Sequence, residues 1–200
     1  MVIKTAAILG GAEYKEEDVE YKNAFEVCKL LAQNGITVCN GGGPGIMRAA
    51  TVGAHAGSGK VVGVTYYPSY AHAHYEGRDP RNTFDEEIIT PDYFNRTKRL
   101  LELGNVHILF RGGTGTIGEF GMTWASSRIH EGHNIPIILF GGFWGHIIKT
   151  FREYMYLRHG EMHLYNIVEK AEQVVPLIEK YRKELPDILA KSEVESSVKR

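Results

Sequence analysis

The sequence predicts an α/β fold of the three-layer, doubly wound, Rossmann-like kind, built on a mainly parallel sheet. Three observations predict it. Short apolar runs alternate with segments of helical periodicity along the chain. The runs are apolar throughout rather than alternating, as strands covered on both faces are. Finally, two glycine-rich turns, Asn40-Gly41-Gly42-Gly43-Pro44-Gly45 and Arg111-Gly112-Gly113-Thr114-Gly115-Thr116, each fall between an apolar run and a helical pattern.

Taken in order, Thr5-Ala6-Ala7-Ile8-Leu9 reads as a first strand, closed by Gly10-Gly11. A helix follows from an Asp18 cap to about Asn34, with Tyr21, Ala24, Phe25, Cys28, Leu31 and Ala32 at three- and four-residue steps and Gly35 as its stop. Residues 36–39 form the second strand, and an alanine-rich helix runs from about Gly45 to Ala56. Val61–Val64 is the third strand. Residues 65–85 carry no clean period and hold Tyr66, Tyr67, Tyr70, His72, His74 and Tyr75; so long a loop in a small domain is commonly functional. A strand over 87–90, a helix over about 92–103 and a strand over 106–110 come next. A helix from Thr116 to about His130 follows the second turn, then a strand over 135–140, a helix over 144–158, a strand near Ile167 and a helix over about 172–184.

These elements make one domain, residues 1–188, with a polar and charged tail at 189–200 expected to fray. The 23 basic and 24 acidic residues leave a net charge of −1, which gives no electrostatic case for a nucleic-acid or membrane partner. No apolar run approaches the ~20 residues of a membrane helix. The N-terminus has no signal-peptide pattern, and Cys28 and Cys39 fall in a helix and a buried strand. A cytoplasmic location with two buried free thiols is the expectation.

The glycines point to an anion. Without a Cβ the backbone approaches a phosphate closely, and the following helix adds free N–H groups and a partial positive charge. The dinucleotide fingerprint fails: the first turn is Gly10-Gly11-Ala12-Glu13 and the second strand ends in Asn40 rather than an acid. Neither turn carries the Gly-Lys-Ser/Thr of a P-loop. A mononucleotide or sugar phosphate remains. On this reading the binding candidates are Gly112, Gly113, Thr114, Gly115 and Thr116 of the second turn, Gly41, Gly42, Gly43 and Gly45 of the first, and Gly11.

Gly41-Gly42-Gly43-Pro44-Gly45-Ile46-Met47 resembles the GGGxxGLM segment of the Lonely Guy (LOG) family, and Arg111-Gly112-Gly113-Thr114-Gly115-Thr116-Ile117-Gly118-Glu119 resembles its PGGxGTxxE motif. Asn95-Arg96 falls where that family has the arginine of its ERKxxM segment. The resemblance covers roughly residues 5–180. It implies a homodimer that hydrolyses the N-glycosidic bond of nucleoside 5′-monophosphates, AMP-like or cytokinin ribotides, to base and ribose 5-phosphate. It also implies Arg96 and Glu119 as the catalytic pair, with no cofactor. Arg111 stands where the motif has proline, Thr97 where a lysine is usual, Leu100 in place of a methionine and Gly118 in place of a frequent glutamate. These departures motivate an alternative, a non-hydrolysing carrier of a nucleotide or of the molybdenum cofactor.

Other roles compete for the same residues. Thr116-x-x-Glu119 is also a capping box, and a carboxylate in a first helical turn is favoured ionised. Arg96 shares an apolar stripe with Tyr93, Leu100 and Leu103 and must find an anion; Asp85 or Glu86 could supply it instead of a ligand. Lys98 and Glu102 read as a surface pair. The pairs His72 and His74, His130 and His133, and His159 and His163 have no third ligand at a zinc spacing, so no metal is expected.

Overall fold

The computed structural model describes residues 3–67, 77–129, 135–157 and 164–184. Its sheet has seven strands: β1 (Thr5–Leu9), β2 (Thr37–Asn40), β3 (Val61–Tyr66), β4 (Glu86–Thr90), β5 (Val106–Leu109), β6 (Ile137–Phe140) and β7 (Tyr165–Val168). Their order is β4-β3-β2-β1-β5-β6-β7, and every neighbouring pair is parallel. The helices are α1 (Val19–Gln33), α2 (Ile46–Ala56), α3 (Tyr93–Leu103), α4 (Thr114–Ile129) and α5 (Phe143–Tyr154), followed by a short 3-10 turn and α6 at 174–184.

Period-two alternation in β1 divides the core. Ala6 and Ile8 face one side, with Ala24, Cys28 and Leu31 of α1, Ala49 and Ala50 of α2, and Ile178 of α6. Ala7 and Leu9 face the other, with Leu100 of α3, Phe120 and Trp124 of α4, and Trp144 and Ile148 of α5. The three layers follow from that split. Cys28 and Cys39 are free and buried, and burial pushes both thiols up, Cys39 to about 12.

The chain winds from β1 outward to β4, then returns to the other side of β1 as β5. The sheet therefore has its topological switch between β1 and β5, and a ligand crevice is expected at the carboxyl ends of these strands.

Several boundaries differ from the sequence reading. β3 runs on to Tyr66 because it pairs with β4 through Tyr66↔Thr90. The helix after the second glycine turn starts at Thr114, two residues earlier than expected, with Gly113 O accepting its first bond from Ile117 N–H at 3.1 Å. α5 stops at Tyr154 rather than 158. Asp18 sits at the N-cap of α1, but its carboxylate accepts from Lys15 N–H at 2.8 Å instead of capping the helix. The tail at 189–200 lies outside the described residues, as do Tyr70, His72, His74, Tyr75, His130, His133, His159 and His163. Among the described residues no helix is long and apolar enough to cross a membrane.

Candidate functional site

A cleft of about 510 Å³ opens at the switch point, within the size range of small-ligand sites. Its floor is the β1–α1 loop, Gly10 to Glu13. One wall is Gly113, Thr114, Gly115, Thr116 and Glu119 of the second glycine turn and α4; Met47, Tyr66, Tyr93 and Arg96 complete the lining.

Helix α4 presents its N-terminus to this cleft. The first N–H groups of a helix have no intrahelical acceptor, and Gly113, Thr114 and Gly115 leave them exposed. Glycine is required behind them: a Cβ on Gly112 would lie 2.1 Å from Thr116 Oγ1 and 2.8 Å from Gly11 N. Gly11 fastens the floor to both turns, donating its N–H to Arg111 O at 3.0 Å and accepting from Ile46 N–H at 2.9 Å.

Glu119 lies one turn further in. It is aimed by its neighbours. Phe120 stacks on Trp124 at 4.9 Å and contacts Trp144 at 5.1 Å, anchoring α4 on the sheet. Thr123 hydrogen-bonds His107 Nδ1, while His107 Nε2 donates to the Leu101 carbonyl at 2.9 Å. His107 is held neutral by this burial, which pulls it down to about 4. The Glu119 side chain is only 6% exposed, and its Oε1 lies 3.6 Å from Arg96 Nη2. Burial raises its carboxyl to about 7, and Arg96 offsets only part of that.

Thr116 is the third residue of α4, not its cap, so there is no Thr116–Glu119 capping box. Glu119 is beyond the first turn, where the helix end would have favoured its charge; desolvation prevails and the carboxyl titrates near neutrality.

The carboxylate that Arg96 meets is Glu119. Asp85 instead accepts from Val61 N–H at 2.8 Å and pairs with His55 at 3.2 Å. The Arg96 Nε is buried without a hydrogen-bond partner, on the side of the guanidinium packed near Gly41. Its carbon stands 5.4 Å from the centroid of the Tyr93 ring, and Tyr93 meets Tyr66 edge to face at 6.2 Å.

The first glycine turn has a different place. It shares the sheet edge, since β2 and β5 flank β1 in parallel. Yet Gly41, Gly42, Gly43 and Gly45 are buried and absent from the cleft lining, to which this region contributes Met47. Gly45 has φ +63, and a Cβ there would lie 2.4 Å from Gly11 O.

Arg111, Thr97 and Gly118 also lie off the lining. Arg111 pairs with Glu20 at 3.5 Å and stands 5.0 Å over the Phe143 ring. Thr97 is on the buried face of α3, and Gly118 is exposed on α4. Lys98 and Glu102 form an exposed pair at 3.8 Å. Among the described residues no three His, Cys, Asp or Glu side chains gather as a metal site.

Ala12, Glu13, Met47 and Tyr93 also line the cleft, beyond the residues that the sequence motifs point to. The signal for the first two was the strand order, which makes the β1 loop one lip of the switch point. Tyr93 could have been found one helical turn before Arg96.

Fold and cleft define a Rossmann-like protein with a ligand crevice at the switch point of its sheet. The chain belongs to the SLOG cluster4 family, whose family model matches residues 4–152. An uncharacterized protein of Archaeoglobus fulgidus is 27% identical over 142 residues, covering 70% of this chain and 87% of that protein. Among solved structures, the molybdenum cofactor binding protein of Rippkaea orientalis is similar in fold: 21% identity, 92% of this chain and 99% of the other, TM-score 0.69. The molybdenum cofactor carrier protein of Chlamydomonas reinhardtii matches at 18% identity, over 88% and 94% of the two chains, TM-score 0.61.

Proposed function

We propose that the protein binds a nucleoside 5′-monophosphate in this cleft and hydrolyses its N-glycosidic bond. The observation that carries the reading is the Arg96–Glu119 pair, 3.6 Å apart and facing the same cleft as the N-terminus of α4. A buried carboxyl that titrates near 7 beside a cation is the kind of group catalytic sites use.

In this reading the phosphate sits against the N–H groups of residues 113–116, and the base lies along Tyr66 and Tyr93. The bond from C1′ to the base nitrogen breaks, the electron pair leaves with the base, water adds its hydroxyl to C1′, and the proton that water sheds balances the one the base nitrogen takes up. Ionised Glu119 supports the oxocarbenium-like transition state or orients that water; its protonated fraction can donate to the departing base. Arg96 balances the carboxylate. Arg111, Thr97 and Gly118 subtract nothing from the cleft lining, so the departures from the motif do not argue against hydrolysis.

The second reading is a carrier that holds a nucleotide or molybdenum cofactor without cleaving it. The fold likeness to the Rippkaea and Chlamydomonas proteins favours it, and the same lip and aromatic wall would accept a phosphorylated pterin. A homodimer belongs to both readings; exposed Tyr154, Met155 and Tyr156 give a second copy an apolar patch to cover.

Incubation with a panel of nucleoside monophosphates, assayed for free base and ribose 5-phosphate, separates the two. Release of base supports hydrolysis. AMP that binds but stays whole for hours decides for the carrier.

A further inference from the structure

Gly41 has no positive φ, so backbone conformation does not account for glycine at this position. Arg96 does. A Cβ on Gly41 would lie 2.1 Å from Arg96 Nη2, 2.6 Å from Cζ and 2.9 Å from Nε. All three atoms belong to the end of one flexible side chain, so an added methyl is relieved by displacing the guanidinium rather than the turn. Near the same guanidinium stands the Tyr93 ring, at 5.4 Å. With Nε unpartnered, packing rather than a hydrogen bond fixes that edge of the group.

The turn that carries Gly41 is braced from several directions. Asn40 Oδ1 accepts from Gly42 N–H at 2.8 Å. Asn82, fully buried, donates its amide to the carbonyls of Gly42 and Gly43 at 2.8 and 2.9 Å. Asp79 N–H adds a bond to Gly42 O at 2.9 Å. The segment around Asp79 and Asn82, unreadable as regular structure, thus clamps the glycine turn.

We propose that Gly41 is a positioning residue: its missing side chain seats the Arg96 guanidinium beside Glu119, and the Asn40–Asn82 brace holds that seat in place. Its consequence for catalysis rests on the hydrolytic reading above; the seating itself does not. The charged and titratable groups that line the cleft with Glu119 are Arg96, Glu13, Tyr66 and Tyr93, and Arg96 is the one that lowers the Glu119 carboxyl against its burial.

The test is a ¹³C NMR titration of glutamate-labelled protein, with Glu119 assigned through Glu119→Gln. Gly41→Ala displaces the guanidinium, so the Glu119 midpoint should rise by about one unit, as for a carboxylate losing a nearby cation. In Gly41→Ala/Arg96→Ala the midpoint should equal that of Arg96→Ala, because the added methyl acts only through the guanidinium. A wild-type midpoint in Gly41→Ala overturns the proposal. If Gly41→Ala is too unstable to titrate, melting decides: the double variant, freed of the clash, should melt above the single one, and melting at or below it overturns the proposal. Base release from AMP by the wild-type protein is assayed in parallel. A midpoint that responds while AMP stays intact keeps the seat and removes the catalytic reading; base release with an unmoved midpoint does the reverse.

Discussion

The two glycine-rich turns are alike in sequence and opposite in use. Residues 40–43 and Gly45 are buried, the turn is braced by Asn40, Asp79 and Asn82, and its glycines make room for protein: Arg96 at Gly41, Thr65 at Gly42, and the Gly11 carbonyl at Gly45. Residues 112–116 are open from Gly112 to Gly115, and a Cβ on Gly113 would meet nothing within 4 Å. Glycine in the first turn answers an internal demand. In the second, Gly112 still makes room for Thr116, but Gly113 and Gly115 are exposed and leave the helix-terminal N–H groups open to the cleft. Glycine content alone does not separate a packing turn from a binding turn; the difference lies in what occupies the space where a side chain would be.

The largest expected effect concerns the group that the second turn delivers. Glu119→Gln keeps the size and removes the charge, and should lower AMP turnover by about 10²-fold or more. The same substitution changes how stability depends on pH. The Glu119 carboxyl titrates at about 7 when folded against 4.5 ordinarily. The folded protein therefore holds this proton more tightly, and the stability it contributes is full below pH 4.5 and is lost as pH rises through about 7. Urea denaturation at pH 5 and pH 8 should show the stability of Glu119→Gln gaining on wild type at the higher pH. A constant difference between the two proteins would mean that Glu119 is ionised and well solvated.

In the braced turn the expected effect is on the fold. Gly45→Ala places a methyl against the Gly11 carbonyl at a positive φ and should cost about 2–3 kcal/mol, from overpacking and an unfavourable backbone together. Thermal denaturation checks this. A loss below about 0.5 kcal/mol, the range of ordinary surface changes, would show that the turn relaxes and is no brace.

The fold was legible because parallel strands buried on both faces read as mostly apolar runs rather than alternating ones, as β1, β2, β5 and β6 do, with His107 the buried polar interruption in β5. Arg96 and Glu119 were legible through the resemblance and, for Arg96, through a charge on an apolar helical stripe. Their distance was not, since it depends on how α3 and α4 pack side by side on the sheet, and no local pattern encodes that. The protonation of Glu119 was misread because it was assigned to a first helical turn, and a two-residue error in the start of α4 changes which effect dominates. The glycine brace was invisible for another reason: Asp79 and Asn82 act through three long-range hydrogen bonds, which leave no periodic trace in a sequence.

The smallest expected effect sharpens the comparison most, because it uses one substitution type in both turns. Gly113→Ala adds the same methyl as Gly45→Ala, but into open space and on an exposed residue. Stability should stay within about 0.5 kcal/mol of wild type. Binding should suffer instead, since the methyl stands where an anion approaches the helix end. An anion at a helix N-terminus is stabilised by about 1 kcal/mol, so inorganic phosphate or AMP should bind about fivefold more weakly in calorimetry. If Gly113→Ala destabilises the fold as Gly45→Ala does, the two turns do the same structural work. If it leaves both stability and phosphate affinity untouched, the anion does not sit at the N-terminus of α4, and the orientation of the ligand along Glu119 and Arg96 must be reversed.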